Sequence, residues 1–315
     1  MKLERAVYAF ITANEVEGKS PNTISFYQAI LNVVIRWIRT VGIGTVELRN
    51  ITATHIREYL RYLQTEHIPY GEGHPLHKSG NRLSPYGIKA HWATLSAFFN
   101  WAQQEGLIDE NPMVRIARPK IPKKLKQGFT VEEIQKLLNV CRAKGGKRAA
   151  RDIAIILFLL DTGCRISEVC QCRLEDVDLK TGRVKVRGKG AKERFVYIGQ
   201  KTKQALLKYI SKFRPQPQEG NWLFLTHDGR KMTRFGMASL LARLGREAGI
   251  QKVHAHRFRH TMAIQFLRNG GDIFTLQRLL GHTTLDMVKE YLNILDADVE
   301  QTYRRASPVD NWKLK

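Results

Sequence analysis

Cysteine is scarce in this chain: Cys141, Cys164, Cys170 and Cys172 are four among 315 residues, too few to staple a chain of this length with disulfides. Nothing at the N-terminus reads as a signal peptide, and a reducing cytoplasm is the expected compartment. Cys170 and Cys172 are separated by one residue rather than the roughly two to four of structural zinc sites, and no second pair complements them, so buried free thiols are expected. Long apolar runs are missing too. The longest, Ile153–Leu160, falls well short of the ~18 residues of a membrane-spanning helix, so no membrane is expected as a partner. A Walker-type phosphate loop is also absent, because Gly145-Gly146-Lys147 lacks the earlier glycine and the following Ser/Thr. ATP is therefore not expected. No dense carboxylate cluster occurs in the second half of the chain, which argues against a two-metal nuclease centre.

Acidic residues are in short supply. Against 52 Lys and Arg stand 29 Asp and Glu, a net charge of +23, and such a field attracts polyanions. The excess is uneven: residues 1–112 carry 11 basic and 10 acidic side chains, residues 113–127 carry six basic and none acidic, and the rest carries 35 against 19. Nucleic acid is the leading partner on this basis, since a membrane-surface protein gathers its charge on one amphipathic helix.

A hydrophobic content of 43% is enough for a buried core, and the length suggests two domains. Helical signals fill the first third. Ser20-Pro21 and Ser84-Pro85 each place an N-cap serine before proline at the first helical position, and each following run stops at a glycine, Gly42 or Gly106. A third helix is expected from Thr52 to about His67 and a first over Leu3–Ala13, giving a four- or five-helix bundle over 1–112. The Pro- and Gly-bearing stretch from Ile68 to Leu83 has no apolar period and reads as a loop. Residues 113–128, with Pro119, Pro122 and the run Lys123, Lys124, Lys126, read as a linker whose basic face lies along a phosphate backbone. Thr130 and Glu133 form a capping box that opens a second domain over 129–315. A buried helix over Asp152–Leu160 should end at Gly163. Period-two patterning then predicts strands over Val177–Leu179, Arg183–Arg187 and Arg194–Ile198, followed by a return to helices. The expected class is mainly α with a small antiparallel sheet.

Four local patterns carry candidate chemistry. Thr-Gly-Cys-Arg-Ile-Ser-Glu (162–168) puts Arg165 just beyond a helix end. Arg-Gly-Lys-Gly-Ala-Lys (187–192) puts Lys189 between two glycines at a hairpin tip. His-Arg-Phe-Arg-His (256–260) places His256 and Arg259 three apart, on one helix face. Leu-Gly-His (280–282) precedes Tyr291 by nine residues, counted from His282.

In this order and spacing the patterns resemble the catalytic signature of the tyrosine recombinase/integrase family, and the stretches Gly-Lys-Ser-Pro-Asn-Thr (18–23) and Glu-Gly-Leu-Ile-Asp-Glu-Asn-Pro (105–112) resemble its core-binding domain. The resemblance implies two domains clamping a DNA duplex and a homo-tetramer on two recombination sites, with the C-terminal tail exchanged between protomers. It implies Tyr291 as nucleophile, Arg165 and Arg259 as the arginines holding the scissile phosphate, and His256 and His282 at the two histidine positions. It further implies Lys189 as the lysine that protonates the leaving oxygen and Glu168 as the supporting acid. Cys164 before the first arginine and the long loop in the first domain depart from the family pattern.

The set is chemically coherent. Attack on a phosphodiester adds negative charge to nonbridging oxygens, which planar bidentate donors stabilise. Two arginines and a histidine supply that without a metal. A tyrosine hydroxyl, of ordinary pKa about 10, needs help to ionise, and positive neighbours and His256 as base provide it. Lys192 is the alternative general acid, and Arg257 reads as a phosphate contact rather than a catalytic group. Tyr303 is assigned to packing on a tail helix over Ala297–Ala306, and His260 to structure, since His256 and His260 lack a following Glu and a third ligand. Two other classes compete: a type IB-like topoisomerase or nicking enzyme, and a DNA-binding protein that does not cut. The sequence leaves open the target site, the host, and the choice between a Xer-type resolvase and a mobile-element integrase.

Overall fold

The computed structural model describes residues 1–41, 47–67, 82–121, 127–188 and 192–281, together with Tyr303, Ser307 and Val309. It divides into two compact units, Met1–Lys124 and Leu125–Lys315. Each has its own apolar core.

In the first unit the local signals place four helices: α1 (Leu3–Val16), α2 (Pro21–Thr40), α3 (Ala53–Thr65) and α4 (Pro85–Gln104). Ser20 Oγ accepts from Thr23 N–H and Ser84 Oγ from Gly87 N–H, each satisfying an orphan donor while proline occupies the first turn. Past α4 the chain turns through Gly106 at φ +68°, where Leu107 N–H returns to the Ala102 carbonyl. One face of each helix meets at Phe10, Trp37, Tyr59, Leu95, Phe98 and Phe99. Buried Tyr59 would strand its hydroxyl there; it lies 2.7 Å from His91 Nδ1 instead. Burial, with His67 nearby, pushes His91 down to about 4, so it serves as a neutral partner. The apolar core continues past Pro112. Met113 and Ile116 are buried in it, and the Ile116 carbonyl accepts from Trp92 Nε1–H. The break between units therefore falls inside the stretch expected as linker. Lys123, Lys124 and Lys126, and 68–81 of the expected loop, lie outside the described residues.

In the second unit the capping box forms as the spacing predicts: Glu133 N–H donates to Thr130 Oγ1 and Thr130 N–H to Glu133 Oε2. It opens α5 (Val131–Ala143). Next come the buried α6 (Gly146–Thr162) and the short α7 (Ile166–Gln171). The sheet follows as β1 (Val177–Asp178), β2 (Arg183–Arg187) and β3 (Glu193–Tyr197), antiparallel in that order. Val184 pairs with Val196 and both are buried, while Arg183 faces Tyr197 and Lys185 faces Phe195 on the more open side. The last helices are α8 (Gln200–Lys208), α9 (Arg234–Glu247), α10 (Ala255–Arg268) and α11 (Ile273–Leu280). The class is thus mainly α with a small antiparallel sheet. Of the expected tail helix only Tyr303, exposed to solvent, is among the described residues. No described helix is long and apolar enough to cross a membrane.

Candidate active site

Two helix ends and two helix starts meet in the second unit. Helix α6 stops at Gly163, which takes a left-handed φ of +57°. A Cβ there would meet Leu280 Cδ2 at 3.1 Å and Met262 Sδ at 3.2 Å, so glycine is needed on both conformational and steric grounds. Two residues on, Arg165 caps α7. Its N–H donates to Glu168 Oε2 (2.8 Å) and its Nη1 to Glu168 Oε1 (3.1 Å), and its side chain is 35% exposed, so the guanidinium is oriented from behind while keeping an open side.

Arg259 reaches the same place from α10. It is 3% exposed, and it donates from Nη1 to the Gly163 carbonyl (2.9 Å) and from Nη2 to the Leu280 carbonyl (2.7 Å). These carbonyls belong to the C-terminal ends of α6 and α11, where the helix dipoles concentrate negative potential, so the buried cation is compensated by backbone. The contact with Gly163 brings Arg259 to the segment that carries Arg165. The contact with Leu280 ties it to the segment leading to His282 and Tyr291. His256, exposed on the first turn of α10, has its ring centroid 5.9 Å from that of His260. Lys189, His282 and Tyr291 lie outside the described residues. The hairpin base that leads to Lys189 is described, and there Gly188 N–H bonds the Lys192 carbonyl.

Glu168 is 2% exposed. Burial alone would raise its carboxyl, but hydrogen bonds and charge from Arg194, with the Arg165 backbone and charge, more than offset this and hold it below the usual range. Arg194, expected only as the first residue of a strand, grips both Glu168 oxygens, Nη1 to Oε1 at 2.7 Å and Nη2 to Oε2 at 2.9 Å. The signal was available: by period two, Arg194 shares the inward face of its strand with buried Val196 and Ile198. A charge in that register requires a buried partner. Sequence reasoning also missed His254, whose Nδ1 caps α10 by accepting from Arg257 N–H.

Arg257, expected as a phosphate contact, is held by partners within the protein. Its Nη2 lies 2.8 and 2.6 Å from the two Glu133 oxygens and 3.2 Å from the Gly128 carbonyl, its Nη1 donates to the Gln251 carbonyl, and its guanidinium stacks 4.0 Å from the Phe129 ring. With 16% of the side chain exposed, it clamps the start of the unit to α10. Cys164, which departs from the family pattern, is buried, and burial beside Glu168 pushes its thiol up to about 12, leaving no thiolate. Among the described residues no three His, Cys, Asp or Glu side chains converge as metal ligands would.

Residues 127–298, more than half of the chain, match the phage integrase family, and residues 6–118 match the phage integrase SAM-like domain. This chain is a tyrosine recombinase of the phage integrase family. The recombinase is similar along its length to tyrosine recombinase XerC of Staphylococcus aureus, 30% identical over 305 residues that cover 95% of each chain. With XerC of Oceanobacillus iheyensis it shares 28% over 317 residues, 98% of each. Its fold is similar to that of the Tn1549 transposon integrase in complex with transposon right end DNA, at TM-score 0.72 and 18% identity, covering 96% of this chain and 99% of the other. It is also similar to the XerH site-specific recombinase bound to palindromic difH substrate, at TM-score 0.69 and 22% identity, covering 93% and 82%.

Proposed function

We propose that this site-specific recombinase cleaves and rejoins double-stranded DNA through a covalent 3′-phosphotyrosine at Tyr291, using neither a metal nor ATP. The observation that carries this reading is that Arg259 bonds the Gly163 carbonyl, two residues before Arg165, and the Leu280 carbonyl, two residues before His282. In the proposed reaction Tyr291 Oη attacks the scissile phosphorus, passing its proton to His256. Arg165, Arg259 and His282 hold the nonbridging oxygens as charge builds on them. The P–O5′ bond breaks, and the leaving 5′ oxygen takes a proton from Lys189. The phosphotyrosine retains the energy of the broken diester, so a 5′-hydroxyl from another strand reverses the steps and reseals. Lys123, Lys124 and Lys126 lie along the DNA backbone in this reading. Four copies assemble on two sites, each tail docking on a neighbour, and the protein works on the nucleoid in the cytoplasm.

A nicked suicide substrate tests the central claim. In excess chelator the enzyme is expected to accumulate a covalent DNA adduct, and peptide mass spectrometry should place the nucleotide on Tyr291. Loss of the adduct in chelator, or a nucleotide on Tyr303, would overturn it.

The general acid is tested separately. Lys189→Ala should cleave ordinary DNA slower by on the order of 10²-fold or more, and should recover on DNA whose leaving 5′ oxygen is replaced by sulfur, a leaving group needing little protonation. Arg165→Ala should stay defective on both. A Lys189→Ala enzyme that fails equally on both substrates would move the role to Lys192.

A further inference from the structure

Between the hairpin and the rest of the second unit stands a partly buried cation that the reaction scheme leaves without a task. Arg194 opens the inward face of β3, and 13% of its side chain is exposed. Its three described hydrogen bonds go to two other elements: the fork of Nη1 and Nη2 takes both oxygens of Glu168 on α7, and Nε donates to the Leu279 carbonyl at the end of α11, 2.7 Å away. The side chain is packed along its length as well, because a Cβ built on Gly281, which sits at φ +64°, would meet Arg194 Cδ at 3.1 Å and Nε at 3.2 Å.

Glu168 in turn holds the Arg165 backbone and guanidinium. Leu279 is followed by Leu280, whose carbonyl Arg259 occupies. One guanidinium thus bridges the base of the hairpin, the support of the first arginine and the helix end that carries the second arginine's anchor.

We propose that Arg194 is a positioning residue for catalysis, setting the β2–β3 hairpin so that Lys189 is delivered to the leaving oxygen. The hairpin is closed by Gly188 N–H on the Lys192 carbonyl, and Arg187 and Glu193 pair across it at 3.0 Å. Lys189 follows Gly188 directly in the chain, so how the base is held sets where the lysine starts. Gly188 sits at the junction: a Cβ there would be 3.5 Å from Glu168 Oε1 and 3.7 Å from Arg194 Nη1, which places the hairpin neck against the ion pair. An arginine suits the task because a planar fork fixes direction as well as distance, whereas an ammonium on the same strand would keep the charge and release the angle. The pair is also deeply desolvated, so a partner lost from it is not replaced by water at equal cost.

The proposal rests on Lys189 being the general acid, and the test separates the two claims. Single-turnover cleavage is measured for the wild type, Lys189→Ala, Arg194→Lys and Arg194→Gln on ordinary DNA and on DNA with the sulfur leaving group, alongside single-site DNA affinity and thermal melts. Arg194→Lys is expected to bind a single site like the wild type, to cleave ordinary DNA slower by on the order of 10–10²-fold, and to regain most of that loss on the sulfur substrate, following Lys189→Ala. Recovery on sulfur also shows that the variant is folded. If sulfur rescues Lys189→Ala but neither Arg194 variant, Arg194 does not act through the lysine and the proposal is overturned while the general-acid assignment stands. If sulfur rescues neither Lys189→Ala nor the Arg194 variants, the general-acid assignment falls first, and this proposal falls with it. Wild-type cleavage by Arg194→Lys, or loss of fold in both Arg194 variants, likewise overturns the positioning role.

Discussion

Tyr291→Phe is expected to bind its recombination site as tightly as the wild type and to form no covalent adduct on a suicide substrate. The substitution removes one oxygen and keeps the ring, so it deletes the attacking atom while leaving packing and DNA contacts in place. In-line attack needs an oxygen held at about 3–3.5 Å from phosphorus before reaction, and a phenylalanine ring offers none. The measurement is paired: electrophoretic mobility for binding, denaturing gel for the adduct. A phenylalanine variant that still becomes covalently attached to DNA would show that another residue is the nucleophile.

Arg165→Lys is the second large effect, and it should be expressed in the rate rather than in binding. The lysine preserves the charge but loses the fork, and it can no longer match the fixed direction that Glu168 imposes from behind through Oε1 at 3.1 Å. Loss of one transition-state donor of this kind costs on the order of 10²–10³ in rate. The variant should keep near-wild-type affinity and melting temperature, since 35% of the side chain is already exposed, and the sulfur substrate should not restore it. Cleavage within about tenfold of wild type would show that Arg165 has little part in the phosphate clamp.

What the sequence revealed and what it hid follows the range of the interactions. Ser20-Pro21, Ser84-Pro85 and the Thr130/Glu133 box could be read because each cap closes within three residues, and the structure makes those bonds. The helix end at Gly163 was legible for the same reason. The partners of Arg257 could not be read because they are remote in the chain: Glu133 is 124 residues away and Gly128 is 129, and nothing local distinguishes such an arginine from a solvent-facing one. Met113 and Ile116 were assigned to a linker because Pro119 and Pro122 dominate the composition there, although the two apolar side chains belong to the first core. Arg194 lay between the two cases. Its inward register was visible, but its partners on α7 and α11 become neighbours only when the chain folds.

The proposed phosphate clamp also has a property independent of DNA. Gathering Arg165, Arg194 and Arg259 in one small volume would ordinarily scatter them by mutual repulsion. Here Glu168 and the carbonyls of Gly163, Leu279 and Leu280 act as resident counter-charges, each already holding its arginine at hydrogen-bond distance. Protein partners alone thus hold the three guanidinium groups in place. In the proposed reaction an arriving phosphate would complete an electrostatic frame built in advance, leaving little reorganisation for the moment of attack. The same frame makes Arg259 a brace between the ends of α6 and α11, beside the catalytic part proposed for it. A catalytically silent enzyme for trapping DNA complexes is therefore better made at Tyr291, where the oxygen can be removed without disturbing what holds the ends of α6 and α11.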